Sequence, residues 1–120
     1  MTNAERVREL LRVVNRIADR DYQERVWLNA AGTEVDSWEE TICQFFDDYQ
    51  ADLLLAEGNE ALAITPLQYA KLVSFKEALD RYARRFPDVI SNRVVLEDPE
   101  WTKIIEMAKE VRQVFPDSKR

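Results

Sequence analysis

The side chains in this sequence that are best suited to chemistry are carboxylates. Asp47, Asp48 and Asp52 lie close together, and Glu40 precedes them by about two helical turns. In a helix, Asp48 and Asp52 are i,i+4 neighbours, so their carboxylates lie on adjacent turns of one face. Such a cluster could bind Mg²⁺ or Ca²⁺, or act as an acid–base pair, although the stepwise pattern of a calcium-binding loop is absent. A solvated face and a surface that binds a partner are the two alternative interpretations.

Other catalytic groups are scarce. The chain has no histidine, which removes the commonest general base, the commonest zinc and haem ligand and every histidine-activated nucleophile. Gly32 and Gly58 are isolated, so the sequence has no glycine-rich phosphate-binding loop. The single cysteine, Cys43, has acidic neighbours that would raise the pKa of its thiol and suppress its reactivity. The sequence therefore predicts a protein without catalytic, cofactor or metal-binding residues, which is not an enzyme.

Charge is segregated along the chain. The whole chain has 17 basic and 23 acidic residues and a net charge of −6, but residues 26–70 contain no lysine or arginine. The carboxylates of this segment are Glu34, Asp36, Glu39, Glu40, Asp47, Asp48, Asp52, Glu57 and Glu60. A segment of one sign attracts partners of the opposite sign. An acidic chain without a lysine- and arginine-rich arm is poorly suited to nucleic acid, so we expect no nucleic-acid partner.

Cap residues and prolines divide the chain into helices. Thr2, Ser37, Thr65 and Asp98 each precede an apolar stripe at helical spacing, and all four prolines lie at boundaries. These signals predict helices over residues 3–20, 38–57, 66–86 and 99–115, the first of which continues or restarts through residue 27. Within the connector before the last helix, Arg93-Val94-Val95-Leu96 favours a short extended segment. The expected fold is all-α, with residues 1–120 as a single-domain bundle of four to five helices.

The first predicted helix carries a row of arginines opposite its apolar stripe. Arg8, Arg12 and Arg16 form this row, and acidic residues of the same helix lie within pairing distance. We expect these acids to neutralise the row, in preference to the arginines binding phosphate.

The second predicted helix leaves two leucines off its apolar stripe. The stripe comprises Trp38, Ile42, Phe45, Tyr49, Leu53 and Ala56. Leu54 and Leu55 point toward the acidic side, as do Tyr69 and Val73 on the third helix. Burial of these side chains within the same chain is the preferred interpretation. In the alternative, they form an exposed apolar spot with a charged rim, which is how interfaces are built.

The sequence contains no obvious membrane-directed segment. The longest apolar run, Leu53 to Ala56, is far shorter than the ~20 residues that span a bilayer. The first ten residues alternate in charge and lack the apolar region of a secretory signal. A single cysteine fits a reducing compartment. We therefore expect a cytoplasmic protein without a membrane partner.

The preferred functional hypothesis is a non-enzymatic interaction protein that docks a basic protein partner. The predicted partner-binding residues are Glu39, Glu40, Asp47, Asp48, Asp52, Leu54 and Leu55. The apolar members would supply most of the binding energy, and the carboxylates would set the association rate and selectivity. One alternative is a homo-oligomeric structural or scaffold protein, for example a homodimer. A second alternative is a carboxylate-based divalent-metal protein or enzyme.

In size, acidity and helical content, the chain resembles small bacterial immunity proteins, which neutralise a cognate toxin. The segments Ser37-Trp38-Glu39-Glu40 and Phe45-Phe46-Asp47-Asp48 contribute most to this general likeness. The resemblance implies an inhibitor-like role against a basic protein such as a nuclease-like toxin. No individual residue role follows from it.

Overall fold

Local capping determines where most of the helices begin. The computed structural model describes residues 2–28, 36–86 and 90–116. Six helices start at a serine, threonine or aspartate whose side-chain oxygen accepts a hydrogen bond from a backbone N–H of the first turn, which satisfies a donor that the helix leaves free. These residues are Thr2, Asp19, Ser37, Thr65, Ser91 and Asp98. At Thr65 the Gln68 side chain completes a reciprocal capping box.

The described residues form an all-α fold without a strand. Its helices are α1 (Asn3–Ile17), α2 (Arg20–Trp27), α3 (Trp38–Cys43), α4 (Ala51–Leu55), α5 (Asn59–Leu62), α6 (Pro66–Arg84), α7 (Asn92–Glu97) and α8 (Pro99–Val114). A π-helical segment, Gln44–Asp48, joins directly to the end of α3 and is called the π-turn below. The predicted all-α bundle is therefore confirmed, with α1, α2, α6 and α8 as its longer helices.

Helix α8 packs against both α1 and α6, and these three helices enclose most of the core. Trp101 of α8, Phe75 of α6 and Leu10 of α1 are fully buried. Each buried side chain of this size stabilises the fold by about 1.5–3 kcal/mol. Trp101 also contacts the rings of Trp27 and Tyr82, which links α2 and α6 across the core.

A buried glutamine fixes the corner between α1 and α2. Gln23 is completely inaccessible to solvent, and its amide donates hydrogen bonds to the carbonyl oxygens of Arg16 and Ile17 at 2.9 and 2.8 Å. Its Oε1 accepts a hydrogen bond from Trp101 Nε1 at 2.9 Å. Since a buried amide is tolerated only when its polar atoms are paired, these bonds hold the α1–α2 corner against α8.

The predicted extended segment at residues 93–96 is wrong, because these residues lie in helix α7. The Ser91 side chain caps this helix by accepting a hydrogen bond from Val94 N–H. Val95 and Leu96 are buried where α7 packs against α2 and α8. The weak preference of valine for strands is outweighed by this cap and this packing, and the described residues offer no strand to pair with.

The predicted second helix is interrupted, and the interruption changes which leucines face inward. The π-turn adds a residue to the helical phase, and Gln50 takes a left-handed conformation (φ 48°) before α4 begins. As a result Leu53 is 63% exposed, whereas Leu54 and Leu55 are 0% and 2% exposed. Their expected burial is confirmed, and that of Tyr69 and Val73 is partial, against the core.

Two non-glycine residues, Gln50 and Ala63, have positive φ angles in the described part of the chain. Ala63 ends α5 at φ 57°, a conformation that costs a residue with a Cβ about 1–2 kcal/mol. Glycine avoids this strain but loses more backbone entropy on folding. We therefore expect Ala63→Gly to raise the free energy of unfolding by about 0.5–1 kcal/mol in chemical denaturation.

The matched control for this prediction is Ala70→Gly at an exposed position inside α6. The same substitution in a helix interior should lower the free energy of unfolding by about 1 kcal/mol. If Ala63→Gly destabilises the protein as much as Ala70→Gly does, the left-handed conformation at Ala63 is not strained.

Candidate partner-binding surface

Four of the predicted partner-binding carboxylates share one surface. Glu39 and Glu40 lie in the first turn of α3, and Asp47 and Asp48 lie in the π-turn. All four side chains are exposed to solvent, and we call this group the acidic surface. Ser37 caps α3, because its Oγ accepts a hydrogen bond from the backbone N–H of Glu40 at 3.0 Å. Acidic residues in a first turn also interact favourably with the positive end of the helix dipole.

The four carboxylates lie around Cys43 and act on its thiol electrostatically. Partial burial raises the pKa of Cys43, and the negative charges of the acidic surface raise it further. The carboxylates that contribute are Asp47, Glu39, Glu40 and Asp48. Since the thiolate is the reactive form, this exposed cysteine is poorly suited to nucleophilic chemistry at neutral pH.

Cations from elsewhere in the fold neutralise other carboxylates of the acidic segment. Arg16 of α1 lies 3.6 Å from Asp36, Lys76 of α6 lies 3.0 Å from Asp52, and Arg6 of α1 lies 3.1 Å from Glu57. Asp52, a predicted binding residue, therefore already has a cationic partner. Glu34 lies outside the described residues.

The acidic surface, in contrast, has no such partner. Within residues 2–28, 36–86 and 90–116, no lysine or arginine forms an ion pair with Glu39, Glu40, Asp47 or Asp48. Among the described carboxylates of the segment, these four and the exposed Glu60 of α5 lack an ion pair, and the four lie on α3 and the π-turn.

The buried side chain of Asp36 fixes the position of the acidic surface. Its side chain is only 3% exposed. It accepts hydrogen bonds from Tyr22 Oη at 2.9 Å, from Trp27 Nε1 at 3.3 Å and from Thr41 Oγ1 at 3.2 Å. It also accepts one from Ser37 N–H at 2.8 Å.

The donors to Asp36, together with Arg16, come from α1, α2 and the start of α3, so one carboxylate joins three elements. Arg16 also donates to Gln44 Oε1 at the start of the π-turn. The sequence analysis counted Asp36 only as part of an acidic segment. No local pattern could identify its role, because Arg16, Tyr22 and Trp27 are brought to it by the packing of α1 and α2 against α3.

The structure corrects the apolar part of the predicted site. Leu54 and Leu55 are core residues, so in this fold neither is accessible to a partner. Leu53 is the exposed leucine of this segment. Sequence reasoning missed it because a continuous helix would place Leu53 on the inward stripe, and the π-turn reverses that assignment.

The described residues contain neither a metal cluster nor a membrane span. No group of three or more cysteine, aspartate or glutamate side chains among them is arranged to hold a metal ion. No helix in the same residues is long and apolar enough to cross a membrane. Comparisons with protein-family models, with curated proteins and with solved structures find no match to this chain.

The first prediction for this site concerns Asp36. We expect Asp36→Asn to lower the free energy of unfolding by about 3 kcal/mol, because it removes a buried charge that satisfies Arg16 and several donors. The control, Asp52→Asn, removes a carboxylate from an ion pair in which Asp52 is 66% exposed, and should cost less than about 1 kcal/mol. Equal losses in urea denaturation would contradict a special role for Asp36.

The second prediction uses Cys43 as a probe of the local potential. The double variant Asp47→Asn, Asp48→Asn should lower the pKa of Cys43, because two negative charges near the thiol are removed. The rate of alkylation by iodoacetamide at neutral pH should rise about threefold. The control is the double variant Glu77→Gln on α6 and Glu106→Gln on α8, which changes the net charge of the protein by the same amount. If both double variants change the rate by the same factor, Cys43 senses net charge only.

Proposed function

We propose that this protein is a non-enzymatic binding protein that docks a basic protein partner through its acidic surface. The observation that carries the proposal is the group of four exposed carboxylates without a cationic partner in the described residues. Elsewhere in the fold, arginines and lysines are close enough to pair with Asp36, Asp52 and Glu57. A cationic partner would supply the compensation that Glu39, Glu40, Asp47 and Asp48 lack in the described part of the chain.

The physical advantage of such a surface is fast and selective capture. Carboxylates of one sign on one face produce a potential that attracts a basic protein and repels acidic competitors. Asp36 and the Ser37 cap hold α3 in a fixed position before the partner arrives. Less conformational entropy is then lost on association, which strengthens binding.

Apolar contact would come from Leu53 instead of Leu54 and Leu55. Leu53 directly follows Asp52 in α4 and is 63% exposed. Interfaces place apolar side chains at the centre and charged groups at the rim. We therefore infer that Leu53 supplies the apolar contact and that the acidic surface steers the approach.

The partner class follows from charge. A basic nuclease-like toxin, a ribosomal or other nucleic-acid-binding protein, or a basic subunit of a complex would each present the required lysines and arginines. The first of these matches the resemblance to immunity proteins. An exposed free thiol at Cys43 is suited to a reducing compartment, so we propose that the encounter takes place in the cytoplasm.

The two alternative functions receive less support. Homo-oligomerisation through Leu54 and Leu55 would require these core residues to leave the protein interior. A divalent-metal site or an enzyme would require carboxylates that converge on one ion, and the described residues contain no such group. The acidic surface is instead open and surrounds only the weakly reactive thiol of Cys43.

Charge reversal with a matched control tests the proposed function. Partners would be captured from native cell lysate on immobilised wild-type protein, on Asp47→Lys, Asp48→Lys and on Glu77→Lys, Glu106→Lys. The two variants have the same net charge, but only the first alters the acidic surface. We expect one basic protein to bind the wild type and the control, and association with the first variant to be about tenfold slower at low salt.

The salt dependence provides the second readout for the same three proteins. Binding to the wild type should weaken from low to moderate salt, and this dependence should flatten in Asp47→Lys, Asp48→Lys because fewer charges are screened. If both variants lose the partner equally, net charge is responsible and the acidic surface is not a docking site. If neither loses it, the surface is plain solvated carboxylate.

A further inference from the structure

A second surface feature is an apolar groove beside the start of α1, and it shares no residue with the acidic surface. It has a volume of about 340 Å³. Two alanines, Ala4 and Ala63, line it together with larger apolar residues, which are Val7, Leu11, Leu62, Ile64, Phe115 and Pro116. These residues belong to α1, to α5 and the chain just after it, and to the end of α8 and beyond. Grooves of ~300–1,000 Å³ with mainly apolar walls are typical of small-ligand sites.

The polar side chains that line this groove in the described residues are those of Gln68 and Arg8, and they differ in whether they already have hydrogen-bond partners. Gln68 is already engaged, since its Oε1 accepts from Thr65 N–H and its Nε2 donates to the carbonyl of Val114. Among the described residues, Arg8 is the one charged residue that lines the groove. Its side chain is exposed and has no ion pair or hydrogen bond within the described residues.

The arginine row of α1 therefore has three different environments. Arg12 lies 3.4 Å from Glu9, and Arg16 is held by Asp36. The expected neutralisation of the row by acids of its own helix holds for Arg12 only. Within residues 2–28, 36–86 and 90–116, Arg8 is left as an unpaired cation at the edge of an apolar cavity, and none of the described lining residues is acidic.

We propose that this groove binds a small amphiphile with an apolar tail and a carboxylate head. The tail would cover the solvent-exposed parts of Ile64 and Pro116, above a floor of Val7, Leu11 and Phe115. The head would pair with the guanidinium of Arg8. A charge-assisted contact at one end of an apolar cavity fixes the orientation of such a ligand. This proposal does not depend on the acidic surface.

Charge and size favour this ligand over other occupants. The four residues that follow the groove residue Pro116 in the sequence are Asp117, Ser118, Lys119 and Arg120, which have no apolar side chain to fill the cavity. A stable interface with a second copy of the chain buries roughly 1,200–2,000 Å² in total, far more than a groove of this size offers. A cationic amphiphile would meet Arg8 without a compensating carboxylate.

The binding test uses straight-chain carboxylates and a neutral analogue. Decanoate would be titrated below its micelle concentration into the full-length protein and followed by calorimetry and by NMR of the methyl groups. We expect saturable one-to-one binding, with shifts at Val7, Leu11, Leu62 and Ile64. Octanoate should bind more weakly, by about fourfold per methylene removed, because less apolar surface is buried.

Two substitutions with matched controls test the groove itself. Arg8→Gln should weaken decanoate binding about tenfold, because it removes one charge-assisted contact. Arg12→Gln, one turn further along α1, makes the same charge change and should leave decanoate affinity unaltered. Ala4→Trp should fill the groove from an exposed position and abolish binding, whereas Ala70→Trp on α6 should not. Circular dichroism would establish that each variant is folded.

The competing outcomes are distinct. Equal binding of decanol and decanoate, or equal losses in Arg8→Gln and Arg12→Gln, would overturn the role of Arg8 and hence the carboxylate head. Methyl shifts spread over α6 and α8, or no saturable binding at all, would overturn the groove as a ligand site. If Ala4→Trp does not fold, the methyl shifts of the wild-type protein still decide between these outcomes.

Discussion

The arrangement of this fold around its candidate site depends on one buried carboxylate. Removing an ion from water costs several kcal/mol unless its charge and its lone pairs are satisfied. Asp36 meets this requirement only when Arg16, Tyr22 and Thr41 approach it together. Because these residues come from α1, α2 and α3, the three helices have one relative placement that avoids the penalty. The alternative placements would leave a charge buried without a partner.

The packing of α1, α2 and α3 around Asp36 also fixes the position of the acidic surface. Helix α3 begins beside Asp36, and the π-turn follows α3 without a break. Gln44 at the start of the π-turn also accepts a hydrogen bond from Arg16. The same arginine therefore compensates the buried carboxylate and anchors the segment that carries Asp47 and Asp48. Arg16 thus contributes to both stability and the proposed binding function, while the exposed carboxylates have no cationic partner among the described residues.

Ion pairing across the fold also decides which charges remain available. The basic residues of α1 and α6 are drawn to different parts of the acidic segment, and Arg8 alone among the α1 row lines an apolar groove. Net charge therefore says little about where this protein can bind. The two proposed sites, one for a basic protein and one for a carboxylate, follow from local imbalances of opposite sign.

The sequence by itself determined the all-α fold and the helix starts at Thr2, Ser37, Thr65 and Asp98, because such caps act within a single turn. It also identified the residues of the acidic surface, since charge is a property of composition. Only the tertiary structure decided that Asp36 is internal, that Asp52 is paired with Lys76, and that Leu54 replaces Leu53 in the core. These outcomes depend on contacts between distant elements and on a π-turn that shifts the helical phase. The periodicity of apolar residues within one segment gives no information about contacts between distant elements or about the π-turn.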